Sequence, residues 1–321
     1  MKRLANILVS TCITILFASS AHADDYPTRP MRIVVGYPPG TASDITVRVV
    51  GAKLAKLLNG SVVIENRPGN GSNTAAEFVA RAQPDGYTIL SGSVANAIRV
   101  ATVSKPTFDL IRDFAPISLV GTVPVMLATH PSLGAKTAPQ LIALAKSKPD
   151  ELFYGSSGVG TAAHLAGELF NVSAGVKLVH VPYAGSSQAL ADVLTGRIQA
   201  TFASVSTTMP QVDEGKLVAI GVAERERVAL APNLPTLAEQ GMTDFEATVW
   251  SGLMVPAGTP QDIVDKLVRA TAEAARDPET IASLRAQGIT ARGSGPEQFR
   301  DYIASEIKKW RAVGAAAGMM K

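Results

Sequence analysis

Short runs of β-branched residues alternate with helical patterns along most of this chain, and this alternation restricts its fold more than any other feature. Residues 31–35 form a short apolar run, and residues 44–58 then place apolar side chains at helical spacing. A strand pattern at 61–65 and a helix pattern at 74–82 repeat the unit. Strands that alternate with helices of this length predict parallel βαβ units and an α/β fold.

One long apolar segment interrupts the alternation. Residues 114–129 are broken by Pro116 and Pro124, which is typical of a strand that leaves one sheet and enters another. The alternation then resumes, and a strand-like segment at 245–255 leads back after a linker at 231–241. Two such crossings predict two doubly wound α/β lobes joined by hinge strands. The predicted boundaries are 24–122 plus 242–321 for lobe 1 and 123–241 for lobe 2.

The N-terminus has the order of features that a secretory leader requires. Two basic residues precede an apolar stretch at 4–17, and Ala21-His22-Ala23 supplies the small-x-small pattern that signal peptidase recognises. The stretch is too short to span a membrane, and the polar residues from Asp24 onward disfavour the alternative of a buried helix. We therefore predict a signal peptide at 1–23 with cleavage after Ala23. The mature protein is then periplasmic and does not insert into the membrane.

Charge narrows the function classes. Removing residues 1–23 lowers the formal charge from +3 to +1 and leaves 298 residues, which is enough for two domains of ordinary size. A near-neutral mature chain without a basic run lacks the electrostatic footprint of a protein that binds nucleic acid or a membrane surface. We expect neither kind of partner.

Three turns lie between a strand and a helix, where α/β folds bind ligands. In the first, at 37–44, two prolines fix the backbone and Gly40 permits close approach. The second, at 155–161, combines glycines and hydroxyls at a helix start and predicts a nest of anion-binding amides. The third, at 182–187, offers Tyr183. Each turn also has a purely structural interpretation, as a capped helix start or a surface turn.

These turns predict a site for a small anion between the lobes. A hydrogen bond to a charged group contributes about 1.5–3 kcal/mol and a helix terminus about 0.3–2, so several donors suffice for about micromolar affinity. The predicted ligand-binding residues are Tyr37, Pro39, Gly40, Thr41, Ala42, Ser43, Asp44, Ser91, Ser93, Ser156, Ser157, Gly158, Gly160, Thr161, His164, Tyr183, Ala184, Gly185, Ala203 and Ser204.

Motifs for catalysis and for cofactors are nearly absent from the sequence. The spacing Gly158-x-Gly160-x-x-Ala163 resembles a dinucleotide fingerprint, but Leu178 stands in the region where that motif requires an acid. The sequence lacks a Gly-x-Ser-x-Gly elbow and a His-Glu-x-x-His motif, and its histidines are too scattered to indicate a metal site. We predict no enzyme activity, no cofactor and no metal. An exported α/β hydrolase that depends on Ser157 remains the alternative.

Short motifs also occur in a specific order along the mature chain. They are Tyr26-Pro27 with Pro30-Met31-Arg32-Ile33-Val34-Val35, Pro38-Pro39-Gly40 with Asp44, Val62-Val63-Ile64-Glu65-Asn66-Arg67-Pro68-Gly69, Pro84-Asp85-Gly86-Tyr87-Thr88, Gly158-Val159-Gly160-Thr161 with His164-Leu165-Ala166, His180-Val181-Pro182-Tyr183 with Gly185, Leu234-Pro235-Thr236 with Glu239-Gln240-Gly241, and Trp250-Ser251-Gly252-Leu253 with Pro256-Ala257-Gly258-Thr259-Pro260. In this order the chain resembles the extracytoplasmic receptors of the tripartite tricarboxylate transporter family, often called Bug proteins.

The resemblance implies a type II periplasmic-binding-protein fold that closes on its ligand. It also implies a small organic carboxylate as ligand, held largely by main-chain amides and water, and two membrane partners, one large and one small transporter subunit. The chain departs from the family pattern at Thr41, where a second glycine is common, and at Ala184, where lysine is frequent. It also lacks the acid that many relatives carry near Ser204, which favours a di- or tricarboxylate or an aromatic carboxylate over an amino acid. A ligand sensor for a signalling system stays open as a second function.

Overall fold

The computed structural model of the protein describes residues 26–320, so the predicted leader and its cleavage site lie outside the described residues. The strands are β1 (Met31–Val35), β2 (Val62–Asn66), β3 (Thr88–Ser93), β4 (Phe114–Val123), β5 (Val125–Thr129), β6 (Phe153–Ser156), β7 (Val179–Pro182), β8 (Ala200–Ser204), β9 (Val218–Val222), β10 (Val249–Pro256) and β11 (Thr290–Ala291). The helices are α1 (Ala42–Leu57), α2 (Asn73–Ala80), α3 (Val94–Thr102), α4 (Ala138–Ser147), α5 (Ala162–Ala174), α6 (Ser186–Leu194), α7 (Val205–Asp213), α8 (Gln261–Arg276), α9 (Pro278–Ala286) and α10 (Pro296–Ala316).

The strands form two sheets, each the centre of one lobe. Lobe 1 contains a six-stranded sheet in the order β11-β4-β10-β3-β1-β2, and lobe 2 a five-stranded sheet in the order β7-β6-β8-β5-β9. In each sheet three strands are parallel, and the strands that cross between the lobes join them antiparallel. Strand membership therefore agrees with a chain that enters lobe 2 after β4 and returns before β10. The residue at which each lobe ends stays a prediction.

The crossing is held by backbone hydrogen bonds around Pro124, the residue between β4 and β5. The Val205 amide, at the start of α7, donates to the Pro124 carbonyl oxygen at 2.9 Å. On the return path, the Ala247 amide donates to the Ala223 carbonyl oxygen at 2.9 Å. Each of the two chain segments that run between the lobes is therefore held by a backbone hydrogen bond to a neighbouring segment.

The register of the sheets fixes which ends of the parallel strands face the crossing. Val123, at the end of β4, pairs with Val249, and two residues further along β10 Ser251 pairs with Ser93 at the end of β3. In lobe 2, Val125 at the start of β5 pairs with Ser204 at the end of β8. Because β1 runs parallel to β3, and β6 and β7 run parallel to β8, both sets of carboxyl ends point toward Pro124 and therefore toward each other.

The hydrophobic core continues from one lobe into the other along α10. The apolar residues at helical spacing in α10 are Phe299, Ile303, Ile307 and Trp310. All but the partly exposed Ile307 are fully buried. This helix packs on α3 of lobe 1 and also contacts α5 of lobe 2. The buried carboxylate of Glu306 accepts hydrogen bonds from the indole N–H of Trp250 at 3.0 Å and of Trp310 at 3.1 Å. This pairing satisfies donors that burial would otherwise leave unbonded.

Most strands and helices predicted from periodicity are present, with ends that differ by one to a few residues. Helices α3 and α9 were not predicted, and the predicted strand at 245–255 begins only at Val249. No helix within residues 26–320 is both long and apolar enough to cross a membrane.

Candidate functional site

The predicted turns lie at the strand ends that face the crossing. The first turn follows β1 and Ser93 ends β3, while the second and third turns follow β6 and β7. Ser204 ends β8. The structure therefore brings the predicted residues of lobe 1 to one end of its sheet and those of lobe 2 to the end that faces it. Their role in binding stays a prediction.

The first loop (residues 37–41) is held by the carboxylate of Asp44. Its Oδ2 accepts from the Gly40 amide at 2.9 Å and from Arg48 Nε at 2.9 Å, and its Oδ1 accepts from Asn66 Nδ2 at 2.8 Å. Burial alone would raise the pKa of Asp44, but these hydrogen bonds hold the pKa below its ordinary value. Asp44 is therefore ionised and fixes the loop, and the amide of Gly40, one of the predicted site residues, is already bonded.

The other predicted residues of lobe 1 form a polar chain behind the first loop. The Tyr37 hydroxyl lies 3.3 Å from Ser93 Oγ, and the Ser93 amide donates to Asn96 Oδ1 at 2.9 Å. Asn96 Nδ2 then donates to Asn73 Oδ1 at 3.2 Å. Ser43 and Ser91 are buried next to this chain: Ser43 Oγ accepts from Ser251 Oγ at 3.2 Å, whereas Ser91 Oγ has no partner among the described residues.

The glycine loop (residues 157–161) rests on two stacked histidines of lobe 2. The Gly160 amide donates to His164 Nδ1 at 3.1 Å, so the proton of this imidazole is on Nε2. His180 Nε2 lies 2.6 Å from Ser156 Oγ, which accepts from the Gly158 amide at 3.1 Å. The ring centroids of the two histidines are 3.9 Å apart. The imidazoles thus form the base on which the loop is built.

Both histidines are neutral. The pKa of each imidazole is lowered to about 4, by burial at His164 and by burial together with the neighbouring His164 at His180. The neutral state is required at His164, because a protonated Nδ1 cannot accept from the Gly160 amide. The conformation of the glycine loop therefore depends on an uncharged imidazole throughout the neutral pH range.

The remaining predicted residues occupy the edges of the site. The Tyr183 hydroxyl donates to Asp192 Oδ2 at 2.7 Å, and burial together with this carboxylate raises its pKa to about 12. Ala184 is exposed, and Gly185 precedes α6. Ser204 Oγ lies 2.9 Å from Ser206 Oγ, and Ser206 packs against Gly288 of lobe 1, which leaves no space for a Cβ at that glycine.

The backbone amides that remain available are those of the first turn of α1 and of the glycine loop that precedes α5. Among the described residues, the amides of Ala42 and Ser43 in lobe 1 and of Ser157 and Val159 in lobe 2 have no hydrogen-bond acceptor. Pro39 and Gly40 are exposed, and Gly40, Gly158 and Gly160 all have positive φ. The arrangement is suited to an anion that accepts hydrogen bonds from both lobes.

The same geometry disfavours nucleophilic catalysis at these serines. Ser157 has no hydrogen bond to a histidine, and Ser156, which does, is 1 % exposed and also bonded to the glycine loop. Within residues 26–320 there is no group of three or more His, Cys, Asp or Glu side chains that could hold a metal ion.

Sequence reasoning missed two features of this region. His180 was treated as one of several scattered histidines, but the parallel register of β6 and β7 pairs Tyr154 with His180 and so brings it under the glycine loop. Arg99 was not singled out, although it is the one charged residue in the apolar and small sequence of α3. It lines a cavity of about 570 Å³ that also borders Gly160.

Comparison with known proteins gives one consistent result. The sequence model described as "Tripartite tricarboxylate transporter family receptor" matches residues 46–319. The protein BugT of Bordetella pertussis (strain Tohama I) is 33% identical over 320 residues, which cover 99% of this chain and 98% of BugT.

Solved structures give the same result for the fold. A Rhodopseudomonas palustris protein, Rpa4515, solved with adipate, is 32% identical with a TM-score of 0.77, over 92% of this chain and 99% of that chain. MatC from Rhodopseudomonas palustris, solved with bound malate, is 29% identical with a TM-score of 0.75, over 90% of this chain and 99% of that one. Neighbours that are periplasmic binding proteins confirm the predicted two-lobed α/β fold of that class.

Proposed function

Because this chain belongs to the tripartite tricarboxylate transporter receptor family, we propose that it captures a small organic carboxylate between its lobes in the periplasm and delivers it to a membrane transporter. The family predicted from the motifs is thereby confirmed. The observation that carries the proposal is the opposed placement of unbonded amides, in the first turn of α1 and in the glycine loop, at the carboxyl ends of both sheets.

The affinity of such a site comes from amides and helix dipoles. A carboxylate between the lobes accepts from the Ala42 and Ser43 amides on one side and from the Ser157 and Val159 amides on the other. Each charge-assisted hydrogen bond contributes about 1.5–3 kcal/mol, and the positive ends of α1 and α5 add to this. After the costs of association, about −8 kcal/mol remains attainable, which corresponds to a micromolar dissociation constant.

The ligand class that we propose is a di- or tricarboxylate, or an aromatic carboxylate. Adipate and malate, bound by two structural relatives, are dicarboxylates. Among the predicted site residues, Asp44 is the one carboxylate, and both of its oxygens are bonded within the loop. A ligand with an ammonium group therefore finds no obvious counter-charge there, which argues against an amino acid.

We propose that the protein acts as a receptor and has no catalytic role. The matched family is one of transport receptors, and the buried, fully bonded Ser156 supports this interpretation. The proposed partners are one large and one small membrane subunit of the transporter. The proposed location is periplasmic, after removal of residues 1–23.

The test is a thermal-shift screen of mono-, di- and tricarboxylates on residues 24–321, followed by isothermal titration. A ligand at about 100 times its dissociation constant adds about 2.7 kcal/mol to the free energy of unfolding. Gly158→Val is expected to weaken binding, because φ at Gly158 is +122°. Gly134→Val is the matched control, since Gly134 also has positive φ but lies in a surface turn of lobe 2 outside the site. If no carboxylate stabilises the protein and titration shows no heat, the proposal is wrong.

A further inference from the structure

A cavity of about 570 Å³ adjoins the glycine loop on the side of α3. Lobe 1 contributes Asn70, Asn73 and Ala95 to its walls, and lobe 2 contributes Val159 and Gly160. Pockets that bind small organic ligands have volumes of about 300–1,000 Å³. The cavity is therefore large enough for part of a ligand that also reaches the loop amides.

The cavity adjoins the predicted site and shares residues with it. Asn73 on its wall accepts from Asn96, which in turn accepts from the amide of Ser93. On the opposite side, Gly160 belongs both to the cavity wall and to the glycine loop. A ligand whose one end lies against the loop amides can extend directly into this space.

Arg99 supplies the charge of the cavity. Its Nε is buried and has no hydrogen-bond partner, and its guanidinium forms no ion pair among the described residues. The described lining residues include no carboxylate. Arg99 as a whole is partly exposed, but a buried N–H donor without an acceptor is costly, and buried donors in folded proteins are almost always bonded. An acceptor that arrives with a ligand resolves this deficit.

We propose that this cavity is the subsite for the distal carboxylate of a dicarboxylate, and that Arg99 recognises it. This inference rests on the proposed function and narrows its ligand class. One carboxylate of the ligand lies against the unbonded amides of the first turn of α1 and of the glycine loop. The other accepts hydrogen bonds from the planar guanidinium, whose geometry matches a carboxylate. A monocarboxylate of the same length leaves Arg99 unpaired, and an ammonium group at that end is repelled by it.

The experiment compares acids of equal chain length that differ in the second carboxylate. The probes are succinate with butyrate, glutarate with pentanoate, and adipate with hexanoate, each titrated calorimetrically into the protein. The variants are Arg99→Gln and Arg99→Lys, and Arg81→Gln is the control, because Arg81 is exposed on lobe 1 and lies outside this cavity. Unchanged melting temperatures without ligand show that the variants fold.

We expect the wild-type protein to bind each dicarboxylate about 10-fold or more tightly than the monocarboxylate of the same length. This ratio corresponds to the strength of one charge-assisted hydrogen-bonded pair. Arg99→Gln is expected to abolish this preference and leave the monocarboxylate affinity unchanged, while Arg99→Lys retains part of it. If Arg99→Gln still prefers the dicarboxylate, or loses affinity equally for both acids, the proposed role of Arg99 in a distal subsite is wrong. The proposed receptor function is unaffected by that outcome. If the wild-type protein binds none of the six acids nor any other organic acid, the proposed function fails, and the inference fails with it.

Discussion

Glu224 lies where the chain leaves β9 and returns toward lobe 1, and it is the buried acid whose replacement has the most predictable effect. Its side chain is 7% exposed, and its Oε1 has no hydrogen-bond partner in the described part of the chain. Its pKa is raised from the ordinary 4.5 to about 7, chiefly by burial and further by the charge of Glu246, while the nearby Thr248 hydroxyl and the charges of Arg292 and Lys309 oppose the rise. At neutral pH the folded protein therefore holds this proton far more tightly than the unfolded chain.

The sign of the effect on stability follows from this difference. Below pH 4.5 both states carry the proton, and Glu224 does not change the free energy of unfolding. As pH rises from 4.5 to 7 the unfolded chain ionises first, so the folded state loses stability, and the loss is complete somewhat above pH 7. At about 1.4 kcal/mol for each pKa unit, the full deficit is about 3 kcal/mol, of which roughly 2–3 kcal/mol develops between pH 5 and pH 8.

Glu224→Gln removes the titration and keeps the size of the side chain. In urea unfolding, the stability of Glu224→Gln relative to wild type is expected to rise by about 2–3 kcal/mol from pH 5 to pH 8. Glu226→Gln is the matched control, because Glu226 lies in the same segment but is exposed to solvent. A constant difference between Glu224→Gln and wild type across this range would refute the reasoning.

Three further predictions follow from single contacts. His164→Leu removes the acceptor of the Gly160 amide and is expected to weaken carboxylate binding about 10-fold. His164→Asn offers an amide oxygen near the same position and is expected to retain most of the wild-type affinity. Equal affinities of the two variants in calorimetric titration would contradict this. Glu306→Leu leaves the indole N–H groups of Trp250 and Trp310 without acceptors. Urea unfolding is expected to show a free energy of unfolding that is lower by about 2–4 kcal/mol. A loss below about 0.5 kcal/mol would show that other groups accept from these indoles. Asp44→Asn removes an ionised group whose pKa is lower in the folded protein than its ordinary value of 3.8. The variant is therefore expected to be less stable than wild type at pH 7, and this difference is expected to vanish as the pH falls below 3.8. A destabilisation that persists unchanged at low pH would contradict this assignment.

Local pattern was sufficient to predict the α/β architecture and the turns. The unusual backbone conformation of Gly40 depends on residues within one turn of itself, and such a short-range signal can be read directly from sequence. The start of the next helix was less exact, because the helix predicted over 44–58 begins at Ala42 with Thr41 as its N-cap. Helix α3 was missed because it follows β3 without a connecting turn, at a serine that ends the strand and precedes the helix. Its apolar residues thus gave no separate start signal.

The contacts that define the site depend on register, which periodicity does not supply. His164 and His180 are 16 residues apart and meet because β6 and β7 pair in parallel with Tyr154 opposite His180. The engagement of Asp44 depends on Asn66, which β2 brings beside the first loop by pairing with Val35. A one-residue slip in either pairing would point these side chains to the opposite face of the sheet. Such contacts require the assembled sheets before they can be stated.

The antiparallel strands at the crossing explain why the two lobes present one shared gap. Apart from the short β11, the two sheets have equivalent strand orders, β2-β1-β3-β10-β4 and β7-β6-β8-β5-β9. In lobe 1, β10 runs antiparallel to β3, and in lobe 2, β5 runs antiparallel to β8. Since β4 ends and β5 begins at Pro124, each antiparallel pairing turns the carboxyl ends of its neighbours back toward that residue. The donor amides are therefore fixed within each lobe, in the first turn of α1 and in the glycine loop before α5, and their spacing across the gap is set by the angle between the lobes. We expect substitutions at the crossing to change affinity for every carboxylate alike, whereas substitutions at Arg99 change the order of preference among them.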